Sequence, residues 1–385
     1  MPSQCTLERT REALTEIPAR LPGRTATTAT HRSPTLPSCR LGLATVKSLT
    51  RRCYVDTLRP MIPALVCVFA GLFGLAFGSF LNVCLTRWPE EENVVTGRSH
   101  CRFCGRTLRW WENLPLVSWL ALHGRCRTCN SPIPSRYPLV ELAVGGLWAY
   151  AGWHTLASAF DPLLPMAVFV YQLAIVAGTV AFLWLLVALA LLDARHFWLP
   201  DRLVWPGILL GMLSTLVCLA MASGLNRAYL GQISPSALPV TGSMASVMKL
   251  VRFIDGLEIP GFGGAVAGLA VLLAGPVLAA ALILLIRWIY WLIRHREGVG
   301  LGDVKLMAML AAWLGLDGAL LAFSLACILG LITVLALSAI PAARTENGDW
   351  SIKKLPFGSF LCLGAIVSVF WGGPLIAAYE HWAGF

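Results

Sequence analysis

Six stretches of this chain each run for more than twenty residues without a charged side chain: 62–86, 162–192, 203–225, 259–286, 318–343 and 355–378. A helix needs roughly 20 apolar residues to cross a hydrocarbon core of about 30 Å. Lipid also forbids a spanning segment that leaves backbone groups unpaired, so runs of this length predict transmembrane helices. A seventh stretch, 137–160, is interrupted only by Glu141, and an eighth, 304–316, is short. Even counted from Asp303, that last one rises only about 21 Å, so neighbouring helices must shield it. Only 13% of the residues are charged, about half the share usual in soluble domains. The expected fold is an all-α polytopic membrane protein with about eight transmembrane helices.

Orientation follows from Lys and Arg, which collect in cytosolic loops. Residues 87–136 hold eight arginines, which places them in the cytosol. Alternation puts 193–202, 287–305 and 344–354 on the same side and the sparsely basic loop 226–258 outside. The segment 1–60 breaks the pattern, with ten Lys/Arg against four acids, +6 of the net +10. Rich in Ser, Thr, Pro and Arg and lacking an apolar period, it reads as a disordered arm. It is either an extension upstream of a start at Met61 or a tail that is tolerated or cleaved. Its basic residues do not alternate with aromatics, so no nucleic-acid partner is expected. The predicted organisation is the arm 1–60, a first transmembrane helix 61–86, a cytosolic module 87–136 and a seven-helix membrane domain 137–385.

That module contains Cys101-Arg-Phe-Cys104 and Cys126-Arg-Thr-Cys129, two C-x-x-C pairs 21 residues apart. Each pair can present two thiolates from one tight turn, and two such turns close a tetrahedral four-sulfur site suited to structural zinc. Four protein ligands leave no position open for a catalytic water. The alternative, a pair of redox dithiols, fits poorly with a reducing cytosol. Trp110 to Pro115 and Trp119 would pack a small core or rest at the membrane interface. Cys67, Cys84, Cys218, Cys327 and Cys362 lie in or beside apolar runs and read as small hydrophobes.

Acids at the edge of a span are costly and point to function. Asp193 ends a 31-residue uncharged run, and Asp303 sits in Gly300-Leu301-Gly302-Asp303 ahead of the short segment. The predicted topology puts both at the cytosolic face. Two carboxyls brought together share a proton, so one can act as base on a water and the other as acid, the chemistry of aspartyl peptide hydrolysis. Glycines at 300 and 302 would allow close backbone approach. Asp303 also reads as a helix cap, Asp193 as an interfacial acid offset by Arg195, and Asp201, after Pro200, as a competitor or an N-cap. Glu141 either polarises a substrate or is a satisfied buried acid. No serine sits in a nucleophile-elbow pattern.

Five motifs then fall in order across 62–385. Gly78-Ser79-Phe80-Leu81-Asn82-Val83, with Arg87-Trp88-Pro89, closes the first span, and Pro134-Ser135-Arg136-Tyr137-Pro138-Leu139-Val140-Glu141 follows the cysteines. Asp193 to Asp201, Gly300 to Leu306 (GLGDVKL) and Pro356-Phe357-Gly358-Ser359-Phe360-Leu361 complete the set. Together they resemble the bacterial type IV prepilin peptidase family, the aspartyl leader peptidase/N-methyltransferases of pilus and type II secretion systems. The resemblance implies Asp193 and Asp303 as catalytic residues and removal of a basic leader from prepilin or pseudopilin substrates at the cytosolic face of the inner membrane. It also implies methylation of the new N-terminus with S-adenosylmethionine. The arm 1–60 has no counterpart in the pattern, and loop 226–258 is longer than expected. The rival reading is a metal-binding transporter or assembly factor without proteolytic activity. A transporter should carry paired broken helices or internal repeats, and no convincing repeat is present.

Overall fold

Long helices follow one another along the chain because the uncharged runs leave the backbone no partner but itself. The computed structural model describes residues 39–94, 97–160, 164–228, 264–296, 299–339 and 355–384. Seven long helices result: α1 Cys39–Arg87, α2 Arg136–Ala159, α3 Met166–His196, α4 Asp201–Ala228, α5 Gly264–Arg294, α6 Leu301–Ala339 and α7 Phe357–Ala383. Among the described residues no strand forms, only isolated bridges pairing His100 with Thr107 and Arg125 with Pro132. Met1–Ile62 with Asp161–Leu163 is one unit, described only over residues 39–62; Pro63–Phe160 with Leu164–Phe385 is the other and holds the cavity and the cysteine cluster described below.

Residues 39–60, predicted as part of a disordered arm, are helical and continuous with the first apolar run. Residues 1–38 lie outside the described residues, as do loop 344–354 and most of loop 226–258.

Six helices among the described residues are long and apolar enough to cross a membrane: Pro60–Glu90, Met166–His196, Asp201–Met221, Leu272–Arg294, Leu301–Ser338 and Phe357–Ala383. The sequence predicts eight, and the difference has two sources. Helix α2, which carries Glu141, is 24 residues long but is not among the six. The predicted segments 304–316 and 318–343 are joined in α6, which breaks at Gly315 with φ 74° and ψ 174°. Only glycine adopts such a backbone cheaply, so the break falls where the sequence offers one.

Ahead of that break, residues 304–314 form the centre of the bundle. Val304, Leu306, Met307, Met309, Leu310, Ala311, Ala312, Trp313 and Leu314 are all buried, as expected of a helix apolar on every side. Trp313 stacks on Phe182 of α3 at 4.9 Å and donates its indole N–H to Gly207 O of α4 at 2.8 Å. Helix α6 also packs against α5 and α7, and α3 against α2, α4 and α7. The outward side chains are apolar as well: Leu65, Phe69, Leu72 and Phe73 of α1 are exposed, a surface suited to lipid rather than water.

Candidate active site and metal cluster

The aspartates predicted from α3 and α6 meet on one cavity of about 490 Å³, whose wall also includes Leu199, Asp201, Gly302 and Lys305. Asp193 sits one turn from the end of α3. There Phe197, in the left-handed region, closes the helix by donating its N–H to Asp193 O at 2.9 Å. The chain then runs through Leu199 and Pro200 into α4. Leu199 lies where a Cβ on residue 302 would be, 3.1 Å from its Cδ1. Gly302 therefore lets the turn after Asp193 seat against the turn before Asp303. Gly300 contributes in another way. A Cβ there would meet nothing closer than 3.5 Å, but its N–H donates to Asp303 Oδ2 at 3.3 Å. The capping role for Asp303 and its place on the cavity thus coexist. Arg287 of α5 donates to Val299 O at 2.7 Å and ties down the approach to this turn.

Asp193 is buried, and its partner comes from a third helix. The Ser359 N–H and hydroxyl lie 2.7 and 3.1 Å from Asp193 Oδ2. Gly358 makes room for this approach, since a Cβ at that position would sit 3.0 Å from the same oxygen. The two carboxyls are near enough to interact electrostatically. Asp201, the competing acid, opens α4 on the same cavity. Its side chain is 58% exposed and its two oxygens accept from Lys305 Nζ at 2.7 and 2.9 Å. That ion pair leaves Asp193 and Asp303 as the inner pair. Sequence reasoning placed Ser359 within a motif without a role. Its only signal was a small polar residue after a glycine at the mouth of an apolar span.

Glu141 does not line this cavity. It accepts the Leu116 N–H at 2.8 Å, which joins α2 to the cysteine module, and Ser79 of α1 also bonds to it. The satisfied-acid reading holds.

Cys101, Cys104, Cys126 and Cys129 gather with their sulfurs all within 4.8 Å of one another. The two turns repeat one geometry. The Cys101 and Cys126 N–H groups each bond at 2.9 Å to the carbonyl five residues on, at Arg106 and Ser131. The residues just after the second cysteines, Gly105 and Asn130, both have positive φ, 70° and 55°, as expected of residue types that tolerate it. Cys101 and Cys129 sulfurs are 3.8 Å apart. A tetrahedron with metal–sulfur bonds of about 2.3 Å has edges of roughly 3.8 Å, so the donor set fits a metal ion.

The thiols are also electrostatically divided. The Cys104 N–H, followed by the Phe103 N–H and the Ser131 hydroxyl, pulls Cys101 down to about 6. Cys104, which the Arg106 N–H alone would lower, is instead pushed up to about 11 by burial and the neighbouring sulfurs. Four thiolates this close need a cation to ionise together. Three residues that the spacing did not reveal support the cluster. The Ser131 hydroxyl lies 3.1 Å from Cys129 Sγ. Arg106, which bonds to Cys126, donates to the buried Glu112 at 2.9 Å, and Glu112 also accepts the Arg109 N–H at 2.8 Å. Trp119 covers Gly124 and donates to Ile133 O at 3.1 Å, forming the expected small core, while Trp110 is exposed.

Two family models match the chain: the bacterial peptidase A24 N-terminal domain over residues 72–155, which contains all four cysteines, and the type IV leader peptidase family over 255–335, which contains Asp303. Asp193 lies between the two. A prepilin leader peptidase/N-methyltransferase of Pseudomonas aeruginosa is 31% identical over 338 residues, covering 82% of this chain and 93% of the relative. The Stutzerimonas stutzeri protein of the same name is 30% identical, covering 81% and 93%. That of Myxococcus xanthus is 34% identical over 287 residues, covering 74% and 67%. No solved structure matches.

Proposed function

Because the chain belongs to the type IV leader peptidase family, we propose that it removes the leader of type IV prepilins, or of related type II secretion pseudopilins, with Asp193 and Asp303 as a catalytic dyad. The observation that carries this is their convergence: two acids 110 positions apart in the chain line one cavity at the ends of α3 and α6. Two carboxyls that share a proton supply a base and an acid together. Water attacks the scissile carbonyl as one carboxylate takes its proton and the other carboxyl protonates the carbonyl oxygen. Collapse returns a proton to the leaving nitrogen and breaks the C–N bond.

The topology we propose has eight spans, with α2 crossing and α6 divided at Gly315. The arginine-rich module and the dyad then lie at the cytosolic face of the inner membrane. A prepilin whose apolar helix lies in the bilayer would present its leader junction at that level. The four cysteines would hold zinc as a structural ion that fixes the two turns. The relatives' names carry a second activity, N-methylation, for which we propose S-adenosylmethionine as donor. No glycine-rich nucleotide fingerprint accompanies it. The test is incubation of membranes holding the protein with an unprocessed prepilin. The wild type yields the leader-shortened product, and Asp193→Asn or Asp303→Asn yields none. Full activity in both variants would remove the dyad.

A further inference from the structure

The two inner aspartates are not equivalent in their hydrogen bonds. Asp193 Oδ2 has two donors within reach, the Ser359 N–H at 2.7 Å and its hydroxyl at 3.1 Å. Asp303 has, among the described residues, the Gly300 N–H at 3.3 Å. The amide is one of the first-turn N–H groups of α7; it also reaches Pro356 O at 3.2 Å but lies closer to Asp193 Oδ2. The hydroxyl has a choice, for Ala190 O is also 2.9 Å away. One hydrogen cannot serve both acceptors. Bonds to an ionised oxygen are the stronger kind, so an ionised Asp193 draws the hydroxyl from Ala190 and gains a second donor. Asp303 has no such reserve.

We infer that Ser359 divides the labour of the dyad: it holds Asp193 as the ionised member and leaves the shared proton on Asp303. This rests on the peptidase reading above and adds to it an assignment of roles. The oxygen of water bonds to the carbonyl carbon while one of its protons passes to Asp193. The proton of Asp303 passes to the carbonyl oxygen. On collapse Asp193 gives its proton to the leaving nitrogen, the diol returns one to Asp303, and the C–N bond breaks. The dyad ends as it began. Since Ser359 occupies Oδ2, the other oxygen, Oδ1, is the one left to take the proton. Ser359 is a positioning residue, because it touches Asp193 and does not itself line the cavity.

Other charged or titratable groups lie around the pair: Asp201, Arg202 and Lys305 on the cavity wall, and the buried, neutral Cys362 thiol on α7. The test therefore compares variants at one position with those groups unchanged. The full chain, purified and reconstituted in lipid, is assayed with an unprocessed prepilin for kcat and KM across pH. Ser359→Ala keeps the N–H and removes the hydroxyl; kcat is expected to fall about tenfold, KM to hold, and the acid limb of the profile to move toward neutral pH. Ser359→Thr and Ser359→Val have nearly the same shape and differ by the hydroxyl. Thr recovers most of the rate and the wild-type profile, and Val does not. Equal behaviour of Thr and Val, or an unmoved profile in Ser359→Ala, overturns the role of Ser359 and leaves the peptidase standing. A wild-type protein that fails to shorten the prepilin overturns the peptidase reading itself.

Discussion

The cysteine cluster and the aspartate cavity both gather side chains from separate stretches, but opposite forces hold them. In the module the ligands span only residues 101–129, and the turns that carry them are short loops closed by local N–H bonds. Such loops bury little apolar surface, so a metal is what would fix them. In the cavity the acids are far apart in sequence and ride on helix ends, which apolar packing and close approaches at Gly302 and Gly358 bring together. One site would be held from within by a bound metal, the other is held from without by its scaffold. Damage should therefore travel differently in each.

The sharpest way to break that contrast is Asp193→Asn or Asp303→Asn. Leader removal should fall about a thousandfold or more, while metal content measured on the same preparation stays at the wild-type value. A loss of metal would show the two regions to be one. Next comes Cys126→Ser, which removes the buried member of the cluster. Metal affinity should drop about a hundredfold, read by chelator competition, with a lowered melting temperature. Gly358→Ala crowds a carboxyl without changing its chemistry. With the new Cβ 3.0 Å from Asp193 Oδ2, kcat should fall roughly tenfold to a hundredfold, melting should drop by the few degrees expected of local overpacking, and metal content should not move. The smallest effect belongs to the Asp201–Lys305 pair. It is substantially exposed, so Lys305→Met should change stability by less than about 1 kcal/mol and slow leader removal a few-fold. Exchanging the two charges should return most of that rate. If the exchange returns nothing, the pair acts through something other than its attraction.

The same contrast explains what could be read in advance. The four cysteines were legible because their spacing is itself the site. The spans were legible because lipid demands long uncharged helices, although α2 and the joined segments of α6 show that counting them is harder than finding them. Asp193 and Asp303 stood out as acids at the edge of spans, but nothing local says that they meet; the motif resemblance supplied that expectation. Ser359 showed no role of its own, because a serine becomes a partner only when another helix arrives. Arg106 and Glu112 were hidden for a similar reason: their pairing depends on how the loop closes, not on its pattern.

Helix α7, which carries Ser359, also has a place in time. It leaves the ribosome after α3 and α6, and residues 304–314 cannot be fully enclosed until it has been inserted beside α6. A nascent chain halted before residue 355 would carry both acids, but Asp193 would lack the Ser359 donors that hold it. Only a copy extended through α7 has Asp193 in its final setting, and a shorter one in the membrane is expected to leave the pilins around it uncut.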